Sequence, residues 1–152
     1  MVLNIATFAH FKALEEFEKH LPPSLDSELL VLKGHLLVEE LLEVYLWNNV
    51  ANPRELEDAR LSFAQKVSLV AALHAGPESG WLWKSVRLLN SLRNDLAHKL
   101  ESGRKDKLLV EFVRYVEQSP ELEHLEPPPE IAGQLHRAIF AVHEALSHRV
   151  NL

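Results

Sequence analysis

The sequence predicts an all-α protein, an antiparallel up-and-down bundle of five to six helices forming one domain over residues 1–152. Three observations predict it. Apolar residues recur three and four apart along nearly the whole chain, the spacing that gathers them on one face of a helix. No segment alternates apolar and polar with the two-residue period of a strand. The 5 glycines and 8 prolines fall largely between the periodic segments, where they stop helices. A chain of 152 residues is one domain's worth. Its 47% apolar and 25% charged residues are ordinary globular usage, too apolar for a chain that stays disordered.

The first helix runs from about Ile5 to His20, with Ile5, Phe8, Phe11, Leu14 and Phe17 as an aromatic seam and Pro22-Pro23 as its stop. The second begins near Asp26 or Ser27 and continues to about Val50. It carries apolar residues nearly all round, which predicts a central position. Asn52-Pro53-Arg54-Glu55 reads as a helix start, with Asn52 as cap and Pro53 in the first turn. That third helix is expected to run unbroken to about His74 and to end at Gly76-Pro77. A fourth spans about Trp81 to Leu100 and stops at Ser102-Gly103, and a fifth covers about Asp106 to Gln118. Residues 119–130, with four of the prolines, form a stiff connection. The last helix runs from about Pro129 to Val150 on a core face of Ile131, Leu135, Ala138, Ile139, Val142 and Leu146.

Composition excludes several classes of function. Without cysteine there is no disulfide, no thiol catalysis and no cysteine-ligated metal. The longest stretches free of Asp, Glu, Lys and Arg are residues 1–11 and 67–77, eleven residues each, where a membrane-spanning helix needs roughly 18. The N-terminus lacks the basic, apolar and small-residue regions of a secretory leader, so a cytoplasmic, membrane-free protein is expected. The net charge of −6 argues against coating duplex DNA by charge alone. Between Lys84 and Lys107, however, seven basic residues face three acidic ones, a local surplus able to meet a polyanion or simply to balance acidic neighbours.

That basic segment contains the motif with the most chemistry. On a helical wheel Leu82, Val86, Leu89, Leu92, Leu96 and Leu100 form one apolar arc, while Arg87, Asn90, Asn94, His98 and Glu101 fall within about 80° of one another. Arg93 lies inside the edge of the apolar arc. A guanidinium there needs a carboxylate from a neighbouring helix or an anion from outside. Glu39 and Glu43 are the candidate carboxylates. His35 shares their face, and Gly34 permits close approach of another backbone or a ligand. On residue types alone, an ordinary interhelical tie between Arg93 and one of these glutamates is the simpler explanation.

The string Arg93-Asn94-Asp95-Leu96-Ala97-His98 resembles the R-x4-6-H signature of the HEPN domain superfamily, in which a polar residue follows the arginine. Lys33-Gly-His-Leu-Leu-Val-Glu39 on a long helix, followed by Phe63-Ala-Gln-Lys-Val, is similar to the same family's upstream order. The likeness covers roughly residues 25–103. The resemblance implies a helical domain that commonly dimerises, bringing two motifs together in a cleft. It also implies, for many members, metal-independent endoribonuclease activity, including toxins of toxin–antitoxin pairs. Carried over, Arg93 and His98 are the catalytic pair and Asn94 the polar residue beside them. Arg87, Asn90, His35 and Glu39 are the supporting or substrate-binding candidates. Other members are non-catalytic regulatory or protein-binding modules, and the mannitol operon repressor family resembles this chain in helical layout and in an RN-x-x-AH-like helix end. The partners so implied are a second copy of the chain, RNA, and an antitoxin or regulatory protein.

The chemistry is coherent without the family. RNA carries its own nucleophile, the ribose 2′-hydroxyl, so a site need add only proton transfer and charge stabilisation. Histidine transfers protons near neutral pH and the arginine fork fits phosphate oxygens; no metal or other cofactor is required, and the products carry a 2′,3′-cyclic phosphate. Arg93 and His98 project about 140° apart on a continuous helix, so one copy converges poorly on a phosphate and two-fold pairing is expected to help.

Other motifs are weaker. His35 and Glu39 are spaced to share a metal but lack HExxH and further ligands. His136, His143 and His148 are expected to be solvated or to sit near a helix end. No serine lies in a nucleophile elbow and no glycine loop for nucleotides occurs. Of Trp81 and Trp83, one is expected in the core, and the other is either core or an exposed stacking surface for a base.

Overall fold

A computed structural model describes residues 5–74, 80–98 and 103–150, with side chains from Lys12 onward in the first helix. Seven helices account for the secondary structure of these residues: α1 (Ile5–His20), α2 (Ser27–Asn49), α3 (Arg54–Ala59), α4 (Phe63–Leu73), α5 (Gly80–His98), α6 (Gly103–Glu117) and α7 (Ile131–Val150). The side chains of Ile5, Phe8 and Phe11, the Gly76-Pro77 stop, Leu100, Glu101 and Ser102 lie outside the described residues. Among the described residues no helix is long and apolar enough to cross a membrane.

The main departure from the expected elements is the third helix, which breaks in two. Arg60 takes a left-handed conformation (φ 48°, ψ 50°), closing α3 with its N–H on the Glu57 carbonyl. Ser62 then starts α4 with a complete capping box: its side chain accepts from the Gln65 N–H, and the Gln65 side chain accepts from the Ser62 N–H. The start at 52–54 also differs. Pro53 is the cap residue and no side-chain cap bond forms; Asn52 instead accepts the Glu55 N–H through its backbone carbonyl. At α2 the expected cap is made, with Asp26 Oδ1 accepting from the Leu29 N–H at 3.0 Å.

The break changes topology. His35 meets Phe63, Glu39 and Glu43 meet Lys66, and Tyr45 meets His74. These contacts advance together, so α2 and α4 run in the same sense where strict alternation is expected. The short α3 carries the chain back between them. Asn90 lies against His35, while Trp83 lies against His74, so α5 runs opposite to both.

The core is continuous. Helix α2 packs on α7, α4 and α5, while α6 packs on α5 and α7. Fully buried Leu30, Leu42, Leu89, Phe112, Leu135 and Ile139 come from four of these helices. Helices α2 and α7 approach closely at Gly34, where an added Cβ would stand 2.7 Å from Ile139 Cγ2. Despite its central contacts, α2 is not covered all round: Leu29, Leu32, Leu36, Val44 and Trp47 are exposed on its outer side.

Candidate functional site

The apolar arc of α5 fixes how the motif is presented. Leu82, Val86, Leu89 and Leu92 are buried and Leu96 is half-buried against the core, so the helix is anchored up to its last turns. Arg93 is consequently half-buried at the margin, while Asn94 and His98 are exposed. Asp95, between them, turns inward, its side chain 8% exposed and 3.9 Å from Arg104 Nε. The motif closes the described part of α5.

Arg93 lacks the carboxylate expected for it. Glu39 and Glu43 both bind Lys66, at 2.7 and 2.6 Å, because α4 runs alongside α2 and sets Lys66 level with both. Lys66, one-seventh exposed, keeps its proton more firmly than a free lysine: burial opposes the charge, but the two glutamate hydrogen bonds and their charges outweigh it. Among the described residues the guanidinium of Arg93 bonds only to Asn94 Oδ1, at 3.3 Å. The sequence held a signal for this outcome: Lys66 is the one basic residue of α4.

The supporting residues divide into two sets. His35 and Asn90 come together, with His35 Nε2 donating to Asn90 Oδ1 at 3.0 Å. The His35 ring is buried and stacks on Phe63 with centroids 4.0 Å apart. Burial lowers its pKa below the ordinary histidine value; the Asn90 bond and the Glu39 charge oppose this, and the Arg93 and Lys66 charges add to it. His35 is therefore a neutral donor that fixes the Asn90 amide, one turn before Asn94. Glu39 belongs to the Lys66 pair instead, and Arg87 is exposed and forms no side-chain bond to another described residue. Thus His35 and Glu39, adjacent on one face, are committed to different partners rather than to a shared metal. Among the described residues no group of three or more His, Asp or Glu is placed to hold one.

Much of the basic surplus is also engaged. Lys84 lies 4.5 Å from the Tyr115 ring centroid and Lys105 binds Glu28 at 2.6 Å; Lys99 is outside the described residues. Trp83 is buried, and Trp81 is half-buried against the core.

Two histidines depart from the expectation of solvation. His136 is buried on α7 and donates from Nε2 to the Leu21 carbonyl at 2.9 Å. His143 packs against Phe17 with ring centroids 5.1 Å apart, and its pKa is lowered to about 4 by burial and by the charge of His20. Both dock α1 onto α7, a structural role. His148 is exposed, 3.8 Å from Glu144.

No protein-family model, curated protein or solved structure significantly matches this chain.

Proposed function

We propose that the end of α5 is a phosphate-engaging site and that the protein is a metal-independent endoribonuclease of HEPN type, with Arg93 binding the scissile phosphate, His98 transferring the proton and Asn94 positioning substrate. One observation carries the reading. The two carboxylates expected for Arg93 are taken by Lys66, so a half-buried cation is left with a neutral amide as its bonded partner among the described residues, five positions before an exposed imidazole. A guanidinium in that setting favours an external anion. The 2′-hydroxyl would attack phosphorus as His98 removes its proton, Arg93 would hold the developing charge, and the P–O5′ bond would break with water protonating the departing oxygen, giving a 2′,3′-cyclic phosphate and a 5′-hydroxyl. Because Arg93 and His98 diverge by about 140°, the reading includes a homodimer in which one copy supplies the arginine and the other the histidine. A toxin held in check by an antitoxin, in the cytoplasm, is the biological setting it fits.

The experiment is incubation of purified protein with RNA in excess EDTA, with 2′,3′-cyclic ends as the readout. Wild type is expected to cleave and Arg93→Ala and His98→Ala to fail. Intact RNA with all three proteins overturns the reading for that RNA.

A second reading, a non-catalytic HEPN-like regulatory or protein-binding module akin to the mannitol operon repressor, is favoured by a different observation. The outer side of α2 presents five large apolar side chains to solvent, a surface suited to protein contact.

A further inference from the structure

The exposed face of α2 has an internal symmetry. Leu29, Leu32, Leu36, Val44 and Trp47, from 38% to 58% exposed, lie within about 60° of a single line along the helix. The buried Val38 marks its midpoint. Leu29 and Trp47 are each nine positions from Val38, Leu32 and Val44 each six, and Leu36 and Glu40 each two. The same face carries one basic residue, Lys33, five positions before the midpoint, and Glu43 five positions after it. Leu69 and Leu73, exposed on α4, follow Lys66 by three and seven positions and so widen the Trp47 end of the stripe.

We infer that this face binds a second copy of the chain, α2 against α2 and antiparallel, about a two-fold axis at the level of Val38. Such an isologous contact requires one surface to complement itself. In this register Leu29 lies level with Trp47 of the second copy and Leu32 with Val44, the alternating arrangement by which antiparallel helices interleave side chains. Lys33 falls within a turn of Glu40 of the second copy, the acidic residue of this face that Lys66 does not hold. A parallel pairing would instead set Lys33 beside Lys33 and Glu40 beside Glu40, so charge selects the antiparallel form.

The contact is independent of the cleavage reading. Helix α5 runs opposite to α2, with Asn90 level with His35, which places His98 toward the N-terminal end of α2. The two motif ends in this pair are therefore on the order of 30 Å apart along the axis. Uniting two motifs takes a second, different contact, and the α2 pair leaves both motif ends open for it.

The test is molecular mass by light scattering and sedimentation, followed by cross-linking that exploits the absence of native cysteine. Wild type is expected to be dimeric or a multiple of two, and Leu32→Glu/Leu36→Glu to have half the wild-type mass with unchanged helicity. Lys33→Glu is expected to weaken association about tenfold, and Lys33→Glu/Glu40→Lys to restore it. Leu29→Cys and Trp47→Cys proteins, mixed, should couple through a short bis-maleimide, whereas neither should couple alone, because identical positions lie about 27 Å apart. A wild-type monomer at every concentration, a dimer indifferent to the two glutamates, or coupling of Leu29→Cys with itself each overturns the proposal. Arg93→Ala should leave the mass unchanged, so loss of cleavage and loss of pairing are read separately.

Discussion

The end of α5 and the outer side of α2 are both open to solvent, for opposite reasons. At the motif, polar groups are exposed where water can solvate them, and Arg93 stands out because its expected carboxylates are bound to Lys66. Along α2, apolar groups are exposed although α7, α4 and α5 already pack on this helix. An unpaired half-buried cation costs free energy that an anion would recover, and an apolar stripe costs free energy that a protein surface would recover. Exposure identifies a functional surface only when read with chemistry: as proposed above, the one region would take phosphate and the other a helix.

The largest effect is expected in catalysis. Arg93→Ala and His98→Ala should each reduce RNA cleavage by about 10²–10⁴-fold while shifting unfolding free energy by less than about 0.5 kcal/mol, since neither side chain packs in the core. Parallel losses of stability and activity would break the assignment of a site. Turning to the hidden side of α2, Gly34→Val should destabilise by about 2–3 kcal/mol in urea unfolding, because its Cβ alone would stand 2.7 Å from Ile139 Cγ2. A neutral result would mean that α2 and α7 separate easily.

A third outcome concerns pH. His143 is neutral in the fold, with a pKa lowered to about 4 from 6.5. Its contribution is complete above pH 6.5 and is lost as pH falls toward 4, where the unfolded chain binds the proton more readily. Between those limits wild type should lose on the order of 2 kcal/mol more than His143→Phe does, as followed by thermal melts across that range. Equal slopes would show that the α1–α7 seam admits water. Asn90→Leu strips His35 of its acceptor and should cost about 1–2 kcal/mol, with His35 NMR shifts moving as the bond is lost. The smallest effect is Leu36→Ser, within about 0.5 kcal/mol for the monomer, in contrast to its partner-dependent role.

The sequence made the helix bodies legible because their apolar residues repeat every three to four positions. Helices α1, α2, α5 and α7 begin and end within a few residues of expectation. The motif's position late in α5 was equally legible, since a wheel orders residues along one helix. What it could not show depends on contacts between helices. Whether Glu39 meets Arg93 or Lys66 is decided by which helix lies beside α2, and that followed from the break at residues 60–62. Ser62 and Gln65 carried a readable capping signal for the break, but an arginine in left-handed conformation is a rare way to prepare it. Likewise His136 and His143 share a face with buried residues of α7, and only the docking of α1 removes them from water. The outer leucines of α2 mislead in the opposite direction, since apolar character all round a helix suggests burial whether the covering surface is the same chain or another.

Arg60 has one further consequence. A single backbone hinge, at a cost of about 1 kcal/mol for a side-chain-bearing residue, lays α4 on its own α2 where an unbroken helix from Arg54 to Leu73, a rod, could not fold back. Loss of the Ser62 cap together with a β-branched residue at position 60 would tilt that balance toward the rod. The stacking of Phe63 on His35 and the hold of Lys66 on Glu39 and Glu43 would be lost with it.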